Sequence, residues 1–268
     1  MTEKNRIVDA LVGVWRDIRD VTVGFTDEQW AAPSPCPGWS AHDVVAHIVG
    51  TEEMLRGTPS PEASGERPAH VRNEIGAVNE VWVEHLRSLS PAELLARFDE
   101  VTAARAEALR AMSEEEFHAE SWTPEGPGTY AGFMRIRVFD CWVHEQDLRS
   151  VAGAEGGYDS DAAELAVAFM VAKLGFVVGK RAGAPQQSTV TFELTGPLAR
   201  TASVLVDGRA RVLDSPAENP TATLKLPTSQ FVCLYAGRVA GAAVADRVEI
   251  TGDEELGRRV RDSLGVTV

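Results

Sequence analysis

Hydrophobic positions in the first two thirds of the chain recur at the spacing of α-helices. In residues 4–20, apolar side chains fall three or four positions apart and would share one helix face. Ser40 lies three residues before Asp43, a variant of the capping box, and predicts that another helix starts there. The same period predicts further helices over residues 70–89, 91–112, 131–152 and 159–179. We expect this part of the chain to be a helical bundle.

The period of the pattern changes after residue 185. Four segments alternate apolar and polar residues and are rich in β-branched side chains, which predicts strands over 188–196, 201–214, 221–228 and 247–252. Asp207-Gly208-Arg209 is a hairpin signal within the second segment. Two helices fit near 229–237 and 253–264. This part of the chain is therefore predicted to be α+β with a small, mostly antiparallel sheet.

Composition also divides the chain. Residues 186–268 carry a net charge of −1, whereas the remainder carries −13, and all six histidines and all six tryptophans lie between Trp15 and His144. A glycine-rich segment at 153–157 predicts a helix end and a linker. Two domains are expected, 1–155 and 156–268, and the helix at 159–179 is assigned to either.

The bulk charge and the apolar runs limit the expected partners and location. A net charge of −14 over 268 residues does not fit the basic surface of a nucleic-acid-binding protein. The N-terminus lacks the pattern of a signal peptide, and no run of 18 uninterrupted apolar residues is present, so no membrane partner is expected. Three widely spaced cysteines argue against a disulfide framework. A cytoplasmic protein, either monomer or homodimer, is expected.

The segment RIRVFDCWVHEQDLRS contains the candidate chemistry. Asp140 and His144 are four residues apart, so they stack on one face of the predicted helix, and Asp147 lies on the same stripe. His47 lies on the apolar face of its own helix and is the best candidate for a third ligand. Two imidazoles, one carboxylate and an open position suit a divalent metal such as Zn²⁺. Such a metal can bind a thiol as thiolate or lower the pKa of a bound water.

Simpler interpretations of the same residues stay open at this point. Asp140 and His144 could form an intrahelical pair worth roughly 0.2–0.5 kcal/mol, and a histidine on an apolar face is usually a core residue. His144-Glu145 begins the metalloprotease motif H-E-x-x-H, but Leu148 occupies the second histidine position. Cys36, near the start of the His47 helix, is interpreted as packing in preference to a reactive thiol.

Three segments resemble a known family. CPGWSAHDVVAHIVG (36–50), HVRNEIGAVNEVWV (70–83) and RIRVFDCWVHEQDLR (135–149) resemble the mycothiol-dependent maleylpyruvate isomerases, which belong to the DinB/YfiT-like metal-binding bundles. LPTSQFVCLYAGR (226–238) resembles the sterol-carrier-like domain often attached to them. The resemblance implies an α+β protein: an up-down four-helix bundle followed by a small α/β sandwich with a mostly antiparallel sheet.

The resemblance also implies roles for particular residues. The family holds its metal with a histidine on the second helix and a carboxylate-x-x-x-His pair on the last, which correspond to His47, Asp140 and His144. The family is expected to have Glu where this chain has Asp140, a side chain one methylene shorter. Arginines that bind anionic groups of thiol and substrate are assigned to Arg72 and Arg238.

The function that follows is a metal- and mycothiol-dependent transferase or isomerase acting on a small electrophilic substrate, with Asp147 orienting His144 from behind. The expected partners are therefore a thiol and a small molecule. Two alternatives are kept. One is a non-enzymatic small-molecule or lipid-binding protein with a structural metal. The other is a metal-dependent hydrolase, for which Asp147 or Glu145 would be the general base.

Overall fold

Four long helices form most of the first of two units into which the chain divides, Met1–Ala166 and Val167–Val268. The structure is a computed structural model that describes residues 1–63, 65 and 67–267. Helix α1 packs against α5 and α7, and α3 packs against both of these as well. The apolar faces of the four helices therefore share one core. Their bounds are Glu3–Thr22 for α1, Ala41–Leu55 for α3, Pro91–Ala111 for α5 and Tyr130–Ala152 for α7.

Local capping fixes where the site-bearing helices begin and end. The Ser40 side chain accepts a hydrogen bond from the backbone N–H of Asp43, and the Asp43 carboxylate accepts one from Ser40, so the predicted capping box opens α3. Helix α7 begins after Thr129 and ends at Gly153, which has φ of 66° and adopts the left-handed conformation that glycine favours. The positions of His47 and of the α7 residues are thus set from both ends.

The first unit differs from the predicted pattern in two places. The helix predicted over 70–89 is shorter, because Asn73 caps Gly76 and starts α4 at Glu74–Leu86. A short hairpin that the hydrophobic pattern did not predict is also present, in which β1 (Glu120–Thr123) pairs antiparallel with β2 (Gly126–Thr129). Two short helices complete this unit, α2 (Asp27–Ala31) and α6 (Glu114–His118).

A five-stranded sheet forms the centre of the second unit, with strand order β5-β4-β3-β6-β7. Only the β3–β6 pair is parallel among the described strands, so the predicted mostly antiparallel sheet is present. The hairpin predicted at Asp207-Gly208-Arg209 joins β4 to β5, with Gly208 at φ of 65°. In chain order, strands β3 to β7 are Thr189–Thr195, Arg200–Asp207, Arg209–Val212, Ala222–Pro227 and Glu249–Gly252. The α+β class predicted from the sequence is therefore confirmed.

Two helices in this part of the chain pack against the sheet. Helix α10 (Thr228–Tyr235) packs on β3 and β6, and α11 (Glu254–Asp262) packs on β6 and β7. A 3₁₀ segment, Gly241–Arg247, lies between these two helices in the chain. The helix predicted at 159–179 is observed as α8 (Asp161–Ala172), α9 (Leu174–Phe176) and a π-helical turn, Val177–Arg181.

One segment has the length and apolar composition of a membrane span. It covers Asp161–Arg181, and half of its most apolar window is buried inside the protein. Core helices of water-soluble proteins have the same length and composition, so this property alone is weak evidence for a span. No run of uninterrupted apolar residues pointed to it in the sequence, because Glu164 and Lys173 interrupt the segment.

Candidate metal centre

The three predicted ligands meet in space. His47 comes from α3, while Asp140 and His144 come from successive turns of α7, and ligand atoms of all three lie within 4.8 Å of one another. His47 Nε2 is 3.1 Å from Asp140 Oδ2, and His144 Nε2 is 3.6 Å from Asp140 Oδ1. Each carboxylate oxygen therefore faces one imidazole. This is the arrangement that the i, i+4 spacing and the apolar face of α3 predicted.

The triad is enclosed on one side and open on the other. His47 is 3% exposed and His144 is 5% exposed, whereas the side chain of Asp140 keeps 28% of its surface accessible. A small molecule can therefore approach the triad at Asp140. Catalytic metal sites differ from structural ones in keeping such an open position.

Asp147 fixes the orientation of His144. His144 Nδ1 is 3.0 Å from Asp147 Oδ2, and Asp147 is itself 3% exposed. This contact turns the other ring nitrogen, Nε2, towards Asp140. Metal-binding histidines commonly have a carboxylate at their second nitrogen in this way.

The protonation of the triad suits a metal. Burial lowers the pKa of His47 and outweighs the opposing attraction of Asp140, so the imidazole is neutral near pH 7. Its Nδ1 atom is buried and has no hydrogen-bond partner among the described residues. This atom points away from Asp140, so a cation shared with Asp140 would bind His47 through Nε2. Two imidazoles whose Nε2 atoms face the two oxygens of one carboxylate are a donor set that fits a divalent metal.

A buried series of charged side chains reaches Asp140 from within the bundle. Arg137 Nη1 contacts Asp140 Oδ2, and Arg137 Nε and Nη2 donate to Glu52 Oε1 at 3.0 and 2.8 Å. The other oxygen of Glu52 accepts a hydrogen bond from Arg105 Nε at 2.9 Å. Burial opposes ionisation of Asp140, but His47 and Arg137 outweigh it and hold the pKa of Asp140 below its usual range.

An indole ring covers the two imidazoles. The ring centroid of Trp39 lies 5.0 Å from that of His47 and 5.9 Å from that of His144. Trp39 Nε1 donates to Glu80 Oε2 at 2.9 Å, and His70 Nε2 lies at the same distance from that oxygen. The loop before α3 is thereby tied to α4, and the indole becomes a wall of the site.

Gly38 allows this loop to pack closely against His70, in the segment before α4. Its φ of 84° lies in the left-handed region, and a Cβ atom there would meet the ring of His70 at 2.4 Å. A side chain at this position would push the loop away from His70 and carry the neighbouring Trp39 with it. The Pro-Gly-Trp sequence is thus a structural requirement of the indole wall.

Cys36 lies nearer the site than the sequence indicated. Its Sγ lies within 4.8 Å of ligand atoms of His144 and Asp147. The packing interpretation made from the sequence overlooked this proximity, and the only available signal was the position of Cys36 in the loop just before the His47 helix. Cys141, by contrast, is fully buried, and this burial raises the pKa of its thiol to about 12.

Comparison with known proteins places this geometry in a family. Residues 11–149 match the mycothiol maleylpyruvate isomerase N-terminal domain, and residues 164–259 match the C-terminal domain of the same isomerases. The chain belongs to the mycothiol maleylpyruvate isomerase family. The resemblance inferred from the sequence is confirmed, and the first of the two matched segments contains the whole triad.

Solved structures and curated sequences agree with this family. Crystal structures of a mycothiol-dependent maleylpyruvate isomerase and of a mutant of it share the fold, each with a TM-score of 0.62 over 94% of this chain and 93% of theirs. Their sequence identities are 15% and 16%, the latter for the mutant. Uncharacterized proteins of two Mycobacterium tuberculosis strains, MT0041 and Rv0036c, are 27% identical over 139 residues. The chain spans 52% of the length of these curated relatives.

The two arginines that the family resemblance suggested lie in different units of the chain. Arg72 is exposed in the segment before α4, and no hydrogen bond or ion pair among the described residues joins it to His47, Asp140 or His144. Arg238 belongs to the second unit, where its Nη1 donates to the carbonyl of Ala236 at 2.9 Å. Their assignment to thiol or substrate binding therefore stays a prediction.

The contacts of Glu145 do not suit the role of a general base, which the His144-Glu145 dipeptide suggests. Its Oε1 accepts a hydrogen bond from Arg149 Nε at 2.6 Å, and Gly157 packs against the same oxygen so closely that a Cβ would lie 2.6 Å away. Burial raises the pKa of Glu145 to about 7, against the opposing attraction of Arg149. Glu145 is thus a buried structural carboxyl group beside the site.

Proposed function

We propose that this protein is a metal-dependent enzyme that uses a low-molecular-weight thiol, mycothiol, as co-substrate. Its reaction is isomerisation of, or thiol transfer to, a small electrophilic molecule. The observation that carries the proposal is the convergence of His47, Asp140 and His144 around one point in a member of the mycothiol maleylpyruvate isomerase family. A cytoplasmic location, predicted from the sequence, agrees with dependence on a reduced thiol.

His47, Asp140 and His144 would hold the metal, and the donor set of two imidazoles and one carboxylate favours Zn²⁺. When bound, the cation stabilises the thiolate form of a thiol near neutral pH. Burial disfavours the charged form of His47, and the hydrogen bond between His144 Nδ1 and Asp147 leaves Nε2 of His144 on the side of Asp140. Binding of a cation through Nε2 of His47 would release the proton that this atom donates to Asp140.

The other residues of the site orient the reactants and limit water. The half-open side at Asp140 gives thiol and electrophile access to the same point. Trp39 covers the imidazoles with an apolar surface, which excludes water from that side and offers a flat face to a substrate. Two reactants held against one wall gain in rate from proximity and orientation.

Hydrolysis is a weaker candidate because it requires a general base beside the metal. Asp147 is occupied by His144 Nδ1, and Glu145 is held by Arg149 on another side of α7. A purely structural metal in a binding protein is also disfavoured, since structural sites are coordinatively closed and the Asp140 side of this one is accessible.

The test combines metal analysis with thiol-dependent turnover. We expect the purified protein to contain about one divalent metal per chain and to consume a model electrophile, such as a chlorinated nitroaromatic, only when mycothiol is present. His47→Ala should lose both properties. His118→Ala is the matched control, because His118 is an exposed histidine paired with Glu3 and lies outside the triad.

Two outcomes would refute the proposal. One is an unchanged metal content in His47→Ala, which would remove His47 from the ligand set. The other is a metal-loaded wild-type protein that shows no thiol-dependent turnover with a broad panel of electrophiles, including maleylpyruvate. Loss of activity in both His47→Ala and His118→Ala would indicate misfolding. Thermal unfolding of the two variants detects such misfolding.

A further inference from the structure

A guanidinium group lies against the half-buried carboxylate of Asp140. Arg137 is 3% exposed and contacts Asp140 Oδ2, the same oxygen that His47 faces. Arg137 therefore brings a permanent positive charge into contact with Asp140. The other carboxylate oxygen, Oδ1, lies 3.6 Å from His144 Nε2.

The same guanidinium is anchored from behind. Two of its nitrogens donate to Glu52 Oε1, and one of these lies 3.3 Å from the thiol of Cys141. Glu52 is fully buried and is shared with Arg105, which also donates to the hydroxyl of Tyr130 at 2.9 Å. Arg137 therefore has little freedom to move away from Asp140.

The charges of the side chains in this network cancel. Glu52 and Asp140 contribute two negative charges, and Arg105 and Arg137 contribute two positive ones, so the four side chains are neutral together. Arginine keeps its proton at any ordinary pH. These four side chains therefore need no metal to balance their charge.

We propose that Arg137 is a built-in counterion of Asp140, which stabilises the metal-free protein and weakens the hold of the site on its metal. The second half rests on the proposed function, whereas the first half concerns the chain alone. A divalent ion held by Asp140 would experience repulsion from the guanidinium that contacts the same carboxylate. At such short range in a partly buried site this repulsion is only weakly screened.

A role in positioning alone predicts the opposite effect on metal affinity. If Arg137 served only to orient Asp140, its removal would disorder a ligand and weaken metal binding. If its charge dominates, removal strengthens metal binding while it destabilises the metal-free protein, because Asp140 is left without a cationic partner. The sign of the change in affinity therefore separates the two roles.

The experiment compares three variants after chelator treatment. Arg137→Gln keeps a hydrogen-bond donor and removes the charge, Arg137→Lys keeps the charge, and Arg105→Gln removes an equally buried charge that does not contact Asp140. Zn²⁺ affinity is measured by competition with a chromophoric chelator. We expect Arg137→Gln to bind Zn²⁺ about tenfold more tightly than wild type or better, and the other two to stay within about threefold of it.

A second readout does not involve the metal. Thermal unfolding of the chelated protein should show a lowered Tm for Arg137→Gln, and the double variant Arg137→Gln/Asp140→Asn should recover part of that loss, because the unpaired carboxylate is gone. The same recovery is not expected when Asp140→Asn is combined with Arg105→Gln. The comparison of the two double variants remains informative if Arg137→Gln alone fails to fold.

Distinct results overturn each half. Zn²⁺ binding by Arg137→Gln that is equal to or weaker than that of wild type refutes the electrostatic effect on the metal. A double variant no more stable than Arg137→Gln refutes the counterion role. A wild-type protein that binds no Zn²⁺, while the double variant is rescued, refutes the proposed function and leaves the counterion role supported.

Discussion

Asp147 Oδ2 and His144 Nδ1 lie 3.0 Å apart in a part of α7 that is almost fully buried. The two residues are three positions apart on one helix, so the contact requires no long-range packing. It determines which nitrogen of His144 is left to face Asp140, and hence whether the triad can accept a cation.

Replacement of Asp147 by alanine is therefore expected to weaken metal binding about 10- to 100-fold. Asp147→Asn, which retains an acceptor oxygen without the charge, should fall between this variant and wild type. The measurement is Zn²⁺ affinity by chelator competition. Asp9→Ala serves as control, because Asp9 is exposed on α1. Equal affinities for Asp147→Ala and Asp9→Ala would contradict the role given to Asp147.

Stability should depend on pH through Glu145. Its pKa is raised from 4.5 to about 7 in the folded protein, so the folded state binds this proton more tightly than the unfolded state does. The resulting stabilisation is fully present below about pH 4.5 and is lost as pH rises through 7, with a total of about 3 kcal/mol.

The variant Glu145→Gln isolates this contribution. Because glutamine does not titrate, the difference in unfolding free energy between wild type and variant should change between pH 5 and pH 8, with wild type losing relative stability at the higher pH. Urea unfolding at several pH values measures it, and comparison of the two proteins cancels other titrating groups such as His47. A difference that is constant with pH would show that Glu145 ionises normally.

Alkylation of Cys36 should block the site. Its sulfur lies close to His144 and Asp147, so an added carbamidomethyl group would occupy space beside the triad. Cys141 should stay unmodified, since it is buried and its pKa is raised to about 12. We expect iodoacetamide to lower Zn²⁺ affinity in wild type and to have no such effect in Cys36→Ser, with mass spectrometry identifying the modified residue. Equal losses in both proteins would assign the effect to exposed Cys233.

Local spacing accounts for the part of the site that the sequence predicted. Asp140 and His144 are one helical turn apart, and that geometry is independent of the rest of the fold. His47 was found because a histidine on an apolar helix face must point inward. The family resemblance then linked the two helices, which spacing alone could not do.

Long-range contacts account for what was missed. Arg137 and Glu52 are 85 positions apart, and Trp39 and Glu80 are 41 apart, so neither pair leaves a periodic signal in the chain. The start of α4 was misplaced for a local reason, because the side chain of Asn73 caps the helix inside a stretch whose apolar pattern continues upstream. The cap limits the helix where hydrophobic periodicity would extend it, and the long-range polar pairs become visible only in the folded structure.

Three of the polar groups at the triad, Asp140, His144 and Asp147, are mounted on one rigid helix, and His47 alone is contributed by α3. The distances among Asp140, His144 and Asp147 therefore do not change when the helices of the bundle move relative to one another. The distance from these residues to His47, in contrast, increases whenever α3 and α7 separate. A cation seated there would act as a staple between α3 and α7. Heating should accordingly release the ion at the moment these two helices part, ahead of any change within α7 itself.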